Sequence, residues 1–166
     1  AALFWNPNGM AEGPDGRIYV ADGNNNSIRR VDRQGNVTTV AGGGPVRKIE
    51  DLQTIDGDLA AARFNGPNSV AIASDGTIYV GEDHGKCVRT IHESMATTLY
   101  RCEAEVNGLL LDEPNGILYV SFKLFLSGYN HSLTSSSEFM KFNPDLKWSI
   151  KNLRVPNSPE LTLTNL

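Results

Sequence analysis

The chain has 166 residues, of which 40% are apolar and 20% charged, and carries a net charge of −4 at pH 7. That composition suits one domain with a buried core, and the negative balance offers no general attraction to phosphate backbones or anionic lipid. The densest apolar run, residues 117–126, is broken by Ser121 and Lys123 and falls short of the roughly 18 apolar residues of a membrane-spanning helix.

The first residues, AALFWNPNG, lack the charged and apolar regions of a secretory leader, and we read them as the start of a mature product or of an excised domain. Pro7-Asn8 then introduces a short strand, GMAE (residues 9–12). Asp15-Gly16 supplies a tight turn into RIYVA (17–21), SIRRVD follows at 27–32, and Gly35-Asn36 turns the chain into VTTVA (37–41). Four short strands joined by tight turns predict an antiparallel meander.

The same order returns. Residues 66–91, GPNSVAIASDGTIYVGEDHGKCVRTI, match NPNGMAEGPDGRIYVADGNNNSIRRV nearly position for position, and VNGLLLDEPNGILYVSF (106–122) is a third, looser copy. Tyr19, Tyr79 and Tyr119 follow Gly16, Gly76 and Gly116 at equal offset, so the copies are spaced by 60 and then 40 residues. A four-stranded unit repeating at about 40 residues marks the blades of a β-propeller.

P-x-G-x-A, D-G-x-I-Y-V-A-D, N-x-x-I-R-x-V-D and V-T-T-V-A-G together resemble the NHL-repeat β-propellers. DGDLAAARFNGPNSVA (56–71) is similar to the loop that joins one NHL blade to the next. The expected fold is therefore all-β, with about three four-stranded antiparallel blades. Blade 1 covers about residues 7–44, an insertion 45–63, blade 2 64–104, blade 3 105–153, and a C-terminal strand or tail 154–166. Closed propellers have 4–8 blades, so three form either part of a larger propeller or one half of a six-bladed homodimeric ring, with exposed faces at both ends.

Cys87 and Cys102 flank a hairpin that we centre on Glu93 to Ala96, which places them directly opposite each other as a disulfide. Such a bond points to a secreted or lumenal protein. The sequons at Asn25, Asn36 and Asn130 add little, being about as many as chance provides in a chain rich in Asn, Ser and Thr.

Each innermost strand begins with the same residue: Asn8, Asn68 and Asn107. Their amide oxygens would converge at one mouth of the channel as a hard-oxygen site suited to Ca²⁺. PNGMAEGPDGRIYVAD is also similar to a blade of the gluconolactonase/regucalcin and paraoxonase families. That resemblance implies a channel metal that polarises an ester or lactone carbonyl and activates water. The competing reading is turn chemistry, because Asn before Gly bonds its own backbone.

Asp22 and Asp83 are read as turn caps at the ends of the second strands, and His84, His92 and His131 show no metal-ligand spacing. RNA binding, which some NHL propellers perform, is disfavoured because Arg29 and Arg30 point to opposite faces of one strand. Loops carry recognition on rigid scaffolds, which makes Arg47 and Lys48 in the insertion, and Phe125, Tyr129 and His131 in the long loop of blade 3, the candidate binding residues. The expected function is a binding module for a protein or glycan partner, and the alternative a calcium-dependent ester or lactone hydrolase.

Overall fold

A computed structural model describes residues 3–43 and 53–123, together with the backbone of residues 139–143 and 146–150. Among the described residues thirteen strands form three antiparallel sheets. Blade 1 is β1 (Pro7–Glu12), β2 (Ile18–Asp22), β3 (Ser27–Val31) and β4 (Val37–Gly42), in that spatial order. Blade 2 is β6 (Pro67–Ile72), β7 (Ile78–Glu82), β8 (Cys87–His92) and β9 (Met95–Arg101). Blade 3 is β10 (Glu105–Asp112), β11 (Ile117–Lys123), β12 (Phe139–Asn143) and β13 (Leu146–Ile150). Among the described residues no helix is long and apolar enough to cross a membrane.

The repeat is therefore a repeat of strand order. Tyr19 pairs across to Ala11 and Tyr79 to Ala71, while Tyr119 faces Leu110. The three anchoring glycines all have positive φ, +68° at Gly16, +87° at Gly76 and +61° at Gly116, which explains why this turn from inner to second strand keeps glycine.

One feature of the joint between blades escaped the sequence. Part of the insertion, β5 (Gly57–Asp58), pairs with Ala96 and Met95 and adds a fifth strand to the outer edge of blade 2. The inner strands β1, β6 and β10 lie side by side, as they do around a propeller hub. Blade 2 is packed on both faces. Alternation along β6 sends Val70 into a core shared with blade 1, around Ile28, Ala41, Phe64 and Val80, while Ala71 joins Val106, Leu118, Val120 and Phe122 of blade 3. At the two ends of the arc the equivalent positions have no blade to meet: Met10 stays 67% exposed and Leu110 65%.

The expected disulfide is not formed. Cys87 and Cys102 are free thiols, and Cys87 lies opposite Arg101. The hairpin closes earlier than the sequence reading placed it, with His92 facing Met95 across Glu93-Ser94. A bulge between Val88 and Arg89 restores one residue of the slip but not the second, and an odd residual shift puts Cys102 on the opposite face from Cys87. In blade 1 the turn is one residue longer, so Ser27 does meet Gly42. The inference to an oxidising compartment loses the bond on which it was built.

Burial, reinforced for Cys87 by the neighbouring Glu82 carboxylate, pushes both thiols up to about 12. The native chain should therefore resist iodoacetamide at pH 8 and take up two labels per molecule only in denaturant, by intact mass. One or two rapid native labels, or a mass 2 Da below the dithiol form (one disulfide is two hydrogens), would contradict this register.

Candidate functional site

Asn8, Asn68 and Asn107 do converge. They line an open groove of about 360 Å³ with the two residues that follow each, namely Gly9-Met10, Ser69-Val70 and Gly108-Leu109. What brings them there is a bulge repeated in all three inner strands. The pairing register slips between Pro7 and Met10, between Pro67 and Ser69, and between Val106 and Gly108, so each asparagine sits at the irregularity. A bulge takes its extra residue out of the ladder and re-aims the side chain. Small residues let the strands meet: a Cβ added at Gly9 would fall 2.6 Å from the Ser69 backbone.

Asn68 is also a strut. Its Nδ2 donates to the carbonyls of Val106 at 3.2 Å and Asn107 at 3.1 Å, tying blade 2 to blade 3. The amide is thereby oriented, and among the described residues its Oδ1 accepts no hydrogen bond. None of the nine lining residues is ionisable. Among the described residues no three His, Cys, Asp or Glu side chains are placed to hold a metal ion. The donor set at this mouth is thus neutral amide and backbone, a weak match for calcium, whose affinity rises with the number of ligand charges. Two acids lie at the far end of the inner strands. There Glu12 and Glu113 border a second groove, and Glu113 accepts hydrogen bonds from the Ser74 amide and hydroxyl.

A second constellation, which the sequence reading missed, lies under the crossover into blade 2. Arg89 is wholly buried and pairs with buried Glu82 at 2.9 Å and with Asp56 at 3.0 Å. It also donates to the carbonyls of Arg63 and Ile55 at 2.9 and 3.0 Å, and its guanidinium lies 4.9 Å from the centre of the Phe64 ring. Thr54 donates its hydroxyl to Glu82. Burial raises the Glu82 carboxyl, outweighing the Thr54 hydrogen bond and the Arg89 charge. Burial would also raise Asp56, but the Thr98 hydrogen bonds and then Arg89 hold it below the usual carboxylate range. The cluster is structural: it binds the crossover to its blade. Its signal was legible in the repeat, because Glu82 and Arg89 stand 60 residues after Asp22 and Arg29.

That alignment corrects the reading of the strand ends. Glu82, not Asp83, is the partner of Asp22 in the repeat. Asp22 does not cap the turn that follows it: its carboxylate accepts the Trp5 amide at 2.7 Å and the Asn25 side chain at 2.8 Å. His84 pairs with Asp83 at 3.0 Å, and His92 shares a hydrogen bond with Thr77. The candidate loop residues Arg47, Lys48, Phe125, Tyr129 and His131 lie outside the described residues.

Comparison with known proteins agrees with this geometry. The family model of the NHL repeat matches residues 4–31. A catalytically inactive virginiamycin B lyase from Staphylococcus aureus, solved with quinupristin, is similar over 91% of this chain and 42% of its own, with TM-score 0.59 and 16% identity. A putative gluconolactonase matches over 90% of this chain and 49% of its own, with TM-score 0.58 and 12% identity. An auxiliary nutrient binding protein from Bacteroides thetaiotaomicron matches over 70% and 34%, with TM-score 0.53 and 18% identity. These likenesses show a β-propeller fold, of which the chain spans less than half of each of these proteins. A search of the curated proteins finds no matching sequence.

The Glu82 shift carries a sign. A carboxyl whose folded value is raised favours folding at low pH, and that contribution is lost as pH rises from the unfolded value through the folded one. Glu82→Gln removes the titration. Its stability relative to the native sequence, measured by urea unfolding from pH 4 to 8, should therefore improve steadily as pH rises above about 4.3, the ordinary Glu value. A constant difference would show that burial does not dominate Glu82.

Proposed function

We propose that the NHL blades form a binding module whose recognition groove is the bulged asparagine mouth of the channel. The observation that carries this reading is the repeated bulge. Three successive inner strands each depart from their ladder at Asn8, Asn68 and Asn107 and line one groove with the amides. Neutral amides and exposed backbone groups suit the hydroxyl and amide groups of a glycan or an extended peptide, which need hydrogen bonds rather than charge. The groove offers no general acid or base of its own among the described residues.

Calcium at the same mouth is the second reading, favoured by three asparagines that line one groove. Asn8, Asn68 and Asn107 would be its ligands, with a carboxylate supplied from elsewhere in a closed ring. The metal would polarise a bound ester or lactone carbonyl.

Calorimetric titration with neutral oligosaccharides and extended peptides separates the two readings. A ligand that binds the native chain should lose about tenfold in affinity on Asn107→Ala, the scale of one hydrogen bond at an exposed position. About 5 mM calcium, above the weakest calcium-module affinities, should leave the melting temperature unchanged. A calcium-induced rise that vanishes in Asn68→Ala would overturn the binding-module reading and support the hydrolase.

A further inference from the structure

Asn8, Asn65, Asn107 and Asn115 are each followed by glycine. That dipeptide carries a chemistry of its own. The glycine nitrogen, with no Cβ beside it, attacks the side-chain carbonyl carbon of the asparagine, the ring closes as a succinimide and ammonia leaves. Water then opens the ring at either carbonyl. The product is aspartate or isoaspartate, and in both a carboxylate stands where the amide was.

The fold treats the four pairs unequally. Gly66 is held in a left-handed turn, φ +65°, and its amide donates to Asn26 Oδ1 at 2.9 Å. Gly116, φ +61°, donates its amide to the Glu113 carbonyl at 2.9 Å, and the Asn115 side chain donates to Asp112 at 2.9 Å. Both of these nitrogens are engaged. The other two pairs lie in the groove. Asn8-Gly9 falls where the register of β1 passes from Pro7 to Met10, and Asn107 is skipped between Val106 and Gly108. Asn8 and Asn107 are exposed, and among the described residues neither side chain takes part in a hydrogen bond. Asn68 is guarded twice, by Ser69 in place of glycine and by its bonds to the Val106 and Asn107 carbonyls.

We propose that Asn8 and Asn107 are sites of spontaneous deamidation, and that their conversion turns the neutral mouth into an anionic site for a divalent cation, calcium. None of the nine lining residues is ionisable before conversion. Afterwards two carry charge while Asn68 keeps its amide, and calcium affinity rises with the number of ligand charges. Isoaspartate adds one atom to the main chain, and it does so at a bulge, where the ladder is already interrupted. The inference rests on the groove of the proposed function but on no glycan or peptide bound there.

The test holds the freshly purified chain at about pH 8 and about 37 °C and maps its peptides by mass, an amide that becomes an acid gaining about 1 Da and isoaspartate being marked by an isoaspartyl methyltransferase. Asn8 and Asn107 should convert about tenfold faster or more than Asn65 and Asn115, the scale of one hydrogen bond that must open before attack. In denaturant the four should convert alike. Gly108→Ala, whose Cβ would meet only the Ser121 hydroxyl at 3.0 Å, should slow Asn107 and leave Asn8 unchanged. Millimolar calcium should raise the melting temperature of the converted chain and not of the fresh one, and Asn8→Asp with Asn107→Asp should reproduce the rise. Conversion led by Asn65 or Asn115, or no faster than at Asn68, would overturn the two sites, and the native chain decides this whether or not a variant folds. A converted chain indifferent to calcium would overturn the cation site, as would a fresh chain that already responds. A fresh chain that binds no glycan or peptide overturns the earlier reading alone, because neither readout here uses one.

Discussion

A guanidinium that cannot reach water organises the best-defined joint of this molecule. Arg89 is surrounded by two carboxylates, two backbone carbonyls and an aromatic face, and all but Glu82 come from the crossover that carries the chain from blade 1 to blade 2. In a low-dielectric site such a group is strongly destabilising if its partners are removed, by about 3–5 kcal/mol for a broken buried pair. Residues 55–64 therefore have little freedom in where they lie. Their position seats Phe64 against Gly42, places Gly66 where the Asn26 side chain can accept its amide at 2.9 Å, and so sets where β6 enters the hub.

From that entry point the groove follows. The inner strands are held so close that Gly9 cannot carry a side chain without displacing the backbone of Ser69. Strands at that separation gain from a bulge, which lets one residue in each leave the ladder and turn toward the shared mouth. The asparagine amide serves both demands. In Asn68 the donor end bonds the carbonyls of the neighbouring blade, and the proposed recognition would use the acceptor end.

The architecture was legible because a repeat of strand order is written in the spacing of glycines and tyrosines, and those glycines hold positive φ. The convergence of Asn8, Asn68 and Asn107 was legible for the same reason. The register of β8 against β9 was not: a two-residue turn and a compensating bulge differ from a four-residue turn by a shift that hydrophobic pattern alone does not resolve, and that shift separates Cys87 from Cys102. The buried ion pair was hidden by composition, since Arg89 and Glu82 read as surface residues until their repeat partners Arg29 and Asp22 are set beside them. β5 was hidden by brevity, being two residues within an insertion.

The distance between residues 8 and 107 tests the account most directly. Spin labels on cysteines replacing Asn8 and Asn107, with the two native thiols left unlabelled in their buried state, report it in solution. If three bulged inner strands wall one groove, the distribution will be short and narrow. A broad distribution, or one lengthened to the span of separate blades, would mean that the three asparagines do not share a site.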